Sequence, residues 1–272
     1  MRFRTSVVTR ITTSLVLAIV GLVTGQSMVQ AQTPNTRSSS SRNAKDEAPF
    51  DLTGYWVSVV TEDWRYRMVT PAPGDYQGVP MTADAIKIAD AWDPAKDEAS
   101  GAQCKSYGAP AILRVPGLLH ITWQDDQTLR METDAGKQTR LFHFGNQSAA
   151  SSMRTLQGYS VAQWEVPRTV DPRLPPDVTD PNTPRPTNGT LRVTTSNLST
   201  GYLRKNGVPY SENATLTEYY DVVRERSGDL WMVVTIVTTD PQYLREPFII
   251  TSNFKKQSDN KGWNPTACSA RW

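Results

Sequence analysis

The chain is poor in the residues that most often announce a catalytic or metal site. Its 272 residues include two cysteines, Cys104 and Cys268, and two histidines, His120 and His143. Two cysteines cannot build a disulfide-dense scaffold or a zinc site of cysteines alone. Two histidines exclude most His-rich metal centres. The H-E-x-x-H, G-x-S-x-G, P-loop and G-x-G-x-x-G patterns are all missing. A surplus of one charge is missing too. The formal net charge of +2 rests on the first 31 residues, which hold Arg2, Arg4 and Arg10 and no acid. Without them, the 29 basic residues fall to 26 against 27 acidic ones. A near-neutral chain has no global electrostatic footprint for nucleic acid or an anionic membrane. No apolar run reaches the ~20 residues needed to span a bilayer.

What is present begins with a leader. Arg2, Arg4 and Arg10 precede the apolar run Ile11 to Val23, and Val29-Gln30-Ala31 gives a small-x-small cleavage pattern before Gln32. This predicts a secretory signal peptide over 1–31, with no cysteine behind the run to carry a lipid. The expected product is exported, to the periplasm or the exterior, with no integral membrane segment after cleavage. Residues 32–49 are polar, Ser-rich and aperiodic, and read as a disordered tether. Residues 50–272 read as one β-rich domain.

Strand signals dominate from Asp51 onward. They fall at 54–60, 63–69, 118–124, 127–134, 137–144, 157–165, 190–197, 214–225, 229–239 and 246–255. Asp125-Asp126, Ala135-Gly136 and Ser227-Gly228 make tight connections between neighbours, and tight connections imply antiparallel pairing. The expected fold is mainly β: an antiparallel up-and-down barrel or strongly curved sheet, whose closure removes vulnerable edges. One short helix is expected over 82–93, capped by Thr82 and stopped before Pro94, with a further turn over 95–101. Residues 167–189 hold seven prolines and cannot be a strand. They read as an exposed loop, or alternatively as a lid.

In an exported chain the default for Cys104 and Cys268 is one disulfide. His120 and His143 lie on strands that can present them to one side, where Glu132 or Glu165 would complete a metal site or an acid–base pair. The alternative is that each is a half-exposed strand residue. Trp64, Tyr66, Trp123, Tyr159, Trp164, Tyr219 and Trp231 can line an apolar pocket or serve as ordinary core packing. Period two places Glu218 with Leu216 and Tyr220, and Glu165 with Tyr159, Val161 and Gln163. At least one of these carboxylates should be inside, paired with Arg192 or a tyrosine hydroxyl.

Two resemblances bear on this reading. Gly54-Tyr55-Trp56 resembles the Gly-x-Trp signature of lipocalins and related calycin barrels. That likeness implies that Trp56 closes the barrel floor. More of the chain resembles a family of exported bacterial proteins with an L-T-G-x-W start and a G-H-S-x-G-x-W-E-G-D-T-L-V-V core. The matching stretches are Leu52 to Trp56, Asp93 to Asp97 followed by Cys104, Gly158 to Glu165, Thr190 to Val193, Thr217 to Tyr219 and Asp240 to Phe248. The chain departs from that pattern where 167–189 splits the core, at Tyr159 in place of His and at Tyr219 in place of Arg. This resemblance implies export and a β-rich fold, without a reaction.

The reading that follows is an exported protein that binds a small apolar or amphipathic molecule as a carrier or accessory protein, with no cofactor. An enzyme using an interior His120 or His143 with Glu165 or Glu218, as hydrolase, isomerase or hydratase, is the first alternative. An envelope assembly partner is the second.

Overall fold

The structure, a computed structural model, describes residues 43–145, 153–166 and 189–271. All belong to one compact unit, Ser41–Trp272; the other unit, Met1–Ser40, lies outside the described residues. So do the expected signal peptide and nearly all of the Pro-rich loop.

Nine strands close into a barrel. They are β1 (Gly54–Val59), β2 (Leu118–Asp125), β3 (Thr128–Thr133), β4 (Thr139–Phe144), β5 (Tyr159–Glu165), β6 (Thr190–Ser196), β9 (Thr215–Arg224), β10 (Leu230–Thr239) and β11 (Phe248–Lys256). Two short strands, β7 (Gly201–Tyr202) and β8 (Pro209–Tyr210), pair as a separate hairpin inserted between β6 and β9. Around the barrel the order is β1-β11-β10-β9-β6-β5-β4-β3-β2. Every pairing is antiparallel except β4 with β5, which is parallel. The simple meander expected from the hairpin turns is thus broken once. After Phe144 the chain returns to the opposite end of the barrel before β5 begins, as a parallel pair requires.

Different segments lie at the two ends of the barrel. Between β1 and β2 the chain makes an excursion over 60–117. It holds α2 (Trp64–Arg67), α3 (Ala83–Asp90), α4 (Pro94–Ala99), a 3-10 turn over Lys105–Tyr107 and α5 (Ala109–Ile112). This excursion and the β7–β8 hairpin lie together at the end where β1 finishes. Thr82 and Asp93 accept hydrogen bonds from the first turns of α3 and α4, from Ala85 N and Ala95 N, as helix N-caps do. The disulfide Cys104–Cys268 (Cα–Cα 5.1 Å) ties this excursion to the C-terminal segment. At the other end, α1 (Ala44–Glu47) crosses the strand ends: Lys45 N donates to Asp126 O, and the Trp164 indole donates to Ala44 O at 2.8 Å. Residues 43–49, expected to belong to a tether, are therefore ordered by these contacts.

The segment 63–69, expected as a strand, is instead the helical turn α2. Its aromatic–arginine alternation imitates a strand, but Arg67 decides the conformation. Its buried guanidinium donates to Arg114 O (2.9 Å) and Ser58 Oγ (3.0 Å) and pairs with Glu62. Trp64 is left 65% exposed.

Strand alternation sends Trp56, Leu119, Ile121, Met131, Phe142, Val193, Tyr220, Met232 and Phe254 inward, all buried. Trp56 is fully buried, and its indole donates to Leu52 O at 2.8 Å. Gly54, which opens β1, sits at φ +102, a conformation that side chains disfavour. The interior also holds charge. Arg140 and Glu218 are fully buried and form a bidentate pair at 2.7 and 2.6 Å, with Thr195 and the Tyr220 hydroxyl completing the network at 3.2 and 3.1 Å. Burial works against the Arg140 charge, but Glu218 and Tyr220 outweigh it and raise the guanidinium pKa. Burial, then Glu218, pushes the Tyr220 phenol well above its ordinary value. Glu218 is the inward carboxylate expected from its face; of the two expected donors the tyrosine hydroxyl is present, as Tyr220, while the arginine is Arg140 and not Arg192.

Candidate functional site

The strand register fixes where each sequence-derived candidate stands. His120 is on the outer wall, stacked on Tyr55 (4.2 Å between ring centres) with its Nδ1 3.5 Å from Glu132 Oε2. His143 is also on the outer wall, stacked on Tyr159 at 4.8 Å. Burial lowers its imidazole pKa, with a smaller upward pull from Asp125. Glu132 lies opposite both His120 and Thr139, whereas Thr128 lies opposite His143. The histidines are therefore offset by four residues along β3, ~13 Å at strand rise, and do not converge. Glu165 is on the outer wall too, paired with Arg192 Nε at 2.7 Å. The interior carboxylate, Glu218, meets Arg140 and no histidine. Among the described residues no group of three or more His, Cys, Asp or Glu side chains could hold a metal ion.

The aromatic candidates separate into three sets. Trp123 and Trp164 pack with Phe144 (5.5 Å each) and Phe50 (5.3 Å from Trp164) and plug the α1 end of the barrel. Tyr159, Tyr219 and Trp231 stand on outward strand positions, and Trp64 projects from α2. Tyr66 lines an open cavity.

That cavity is a cleft of about 480 Å³ at the opposite end. Its walls are Tyr66 of α2, Glu62 and Asp63 before it, Gln77 and Gly78, the start of β11 from Phe248 to Thr251, and Arg204. The cleft exists because β1 stops early. Val59 pairs with Asn253, and from there the chain turns away into α2, while β11 continues beside β10 back to Phe248.

Arg204 is the residue the sequence did not disclose. It lies at the tip of the β7–β8 hairpin, where a cationic side chain is ordinarily solvated. Here the tip is buried. Asn206 donates to Ala72 O and Asp75 O, and Gly207, at φ +81, lies so close to Trp92 that a Cβ would stand 2.3 Å from its ring. The tip's Asn-Gly pair was the one available signal, a tight hairpin turn. The turn carries Arg204 under the cleft, 3% exposed. Its Nη1 donates to Gln77 O at 2.8 Å, and its guanidinium sits 4.1 Å from the Tyr66 ring centre and 5.8 Å from that of Phe248. Burial, and secondarily Arg114, bring its pKa down to about 10 against smaller upward pulls from Asp63, Tyr66 and Asp75, which leaves it cationic at neutral pH.

The two acids in the cleft wall are already matched. Glu62 pairs with Arg67 and accepts from Asn253 at 2.9 Å; Asp63 pairs with Arg114 at 2.9 Å. Arg204 has no carboxylate within ion-pair distance among the described residues. Asp63 and Asp75 act on it only at longer range, and a buried cation without a direct ion pair is costly, so this arrangement favours an anionic group in the cleft. Behind Arg204 a small void of about 20 Å³ is bordered by Ser106, Arg114 and Lys205. Lys205 Nζ donates to the Tyr107 hydroxyl at 2.9 Å, and burial presses its pKa down to about 6.

No helix among the described residues is long and apolar enough to cross a membrane. No protein-family model, curated protein or solved structure matches the chain.

Proposed function

We propose that this is an exported binding protein that takes a small amphipathic molecule into the cleft beside β11 rather than into the barrel lumen. The observation that carries the reading is the contrast between two spaces. The lumen is packed by buried side chains and the Arg140–Glu218 pair. The cleft is open, with Tyr66, Phe248, Ile249 and Ile250 as its apolar wall, Glu62 and Asp63 matched to arginines, and one buried guanidinium, Arg204, that has no ion-pair partner among the described residues. Binding sites commonly combine an apolar lining with a few placed polar groups. Export is supported by the leader pattern of residues 1–31, by the resemblance to exported proteins and by the Cys104–Cys268 bond, which suits an oxidising compartment. The open cleft supports the carrier role.

The test is calorimetric titration with decanoate and 2-naphthoate. Either probe should bind, and Thr251→Trp, which fills the cleft from an outward position, should weaken binding at least tenfold with the melting curve unchanged. Undiminished binding by that variant would place the site elsewhere.

A further inference from the structure

We propose that the cleft is built for a short extended peptide with a free C-terminal carboxylate, added as a strand to the open edge of β11. This deepens the binding reading above and rests on it.

Phe248, Ile249, Ile250 and Thr251 all line the cleft. Side chains alternate between the two faces of a strand, so a cavity that touches four residues in succession runs along the strand's edge. The register says the same. On the β10 side, β11 is paired from Lys255 back to Phe248; on the β1 side, pairing ends at Asn253. Residues 248–252 thus present an edge without a strand partner among the described residues, ~17 Å long at strand rise. Such an edge is a template for pairing with another chain. Proteins commonly blunt exposed edges with charge or proline, yet this one carries Ile249, 61% exposed.

The direction of the added strand is set by charge. A peptide that continues the lane of β1, antiparallel to β11, runs from the Ser252 position toward Phe248. Its C-terminus then arrives beside the Phe248 ring, 5.8 Å from the Arg204 guanidinium carbon. A carboxylate there meets a planar donor suited to it and gives Arg204 the direct ion pair that Asp63 and Asp75, paired with Arg114 and Arg65, do not. A parallel peptide would place its N-terminal ammonium against the same cation. The apolar side chains of an antiparallel peptide would lie against Tyr66 and Ile250.

The experiment uses the wild-type protein and a library of N-acetylated tetrapeptides with apolar side chains. It compares free acids, the same peptides as C-terminal amides, singly N-methylated versions of the tightest binder, and decanoate. The free acids should include binders at least tenfold tighter than their amides. N-methylation at one of two adjacent peptide bonds should cost tenfold or more, and decanoate should bind more weakly than the best peptide. In Arg204→Gln the preference for acid over amide should vanish. Should that buried variant fail to fold, the acid–amide comparison in the wild type decides alone. Equal binding of acids and amides, or indifference to N-methylation at every position, would overturn the inference. If decanoate or 2-naphthoate binds and no peptide does, strand addition is wrong and the cleft reading survives. If no probe binds, both fail.

Discussion

Glu218→Gln is expected to destabilise the protein severely while leaving its fold intact. In the wild type the carboxylate takes two charge-assisted hydrogen bonds from Arg140, at 2.7 and 2.6 Å, and one from Tyr220 at 3.1 Å, all fully buried. The amide keeps one oxygen acceptor but turns an N–H toward the second Arg140 donor, and the guanidinium loses its counter-charge. Charge-assisted bonds contribute ~1.5–3 kcal/mol each, and removing one partner of a buried pair costs ~3–5 kcal/mol. We therefore expect a loss of ~3–5 kcal/mol. At ~2–4 °C per kcal/mol for a domain of this size, the melting temperature should fall by roughly 10 °C. Urea unfolding followed by tryptophan fluorescence measures it, with the m-value as a check on the denatured state. A double variant, Arg140→Met with Glu218→Leu, should recover most of the loss, because an apolar pair of similar volume leaves no buried charge. A loss below ~1 kcal/mol in Glu218→Gln would refute the reasoning, since Arg140 would then have to be hydrated or otherwise paired.

Three further outcomes follow from the same structure. Reducing the Cys104–Cys268 bond, which closes a sequence separation of 164 residues, should cost ~2–4 kcal/mol of stability without changing probe affinity; two thiols titrating in the native oxidised protein would contradict it. Deleting residues 167–188 behind a short turn should leave a folded protein, because Glu165 and Thr190 are already direct partners; loss of cooperative unfolding would count against this. His143, whose pKa is lowered by burial, takes up its proton at lower pH in the native state than in the unfolded one. Below pH ~6.5 the unfolded state therefore binds more protons, and stability falls as pH falls through that region. His143→Phe should reduce this acid sensitivity, measurable by melting curves between pH 7.5 and 5, and an unchanged pH profile would be the contrary result.

How much of this was legible in the sequence varied with the range of the interaction. The strands were legible because alternation is local: Leu119 and Ile121, or Val193 and Leu191, declare an inward face wherever they occur. The cap at Thr82 and the pairing of the two cysteines were legible for similar reasons. The turn at Trp64–Arg67 was not, because the partners that hold Arg67, Ser58 and Arg114 O, come from elsewhere in the chain. Of the two donors expected for the inward carboxylate, a tyrosine hydroxyl does reach Glu218, from Tyr220, but period two sends Arg192 outward to Glu165. Arg140 reaches Glu218 from β4, which is not adjacent to β9. The cleft was the least legible feature. It depends on β1 ending sooner than β11 and on a buried hairpin tip, and neither leaves a periodic signal. Tyr66, picked out as an aromatic on a strand, lines the cleft from a helical turn instead.

The central claim is that ligand binds beside β11 and not inside the barrel. Amide NMR spectra of the 15N-labelled protein titrated with decanoate test it most directly. Shifts should cluster at Tyr66, Gln77, Gly78, Arg204 and Ile249 to Thr251. Shifts centred on the lumen residues Phe142, Val193 and Met232, with the cleft unmoved, would contradict it.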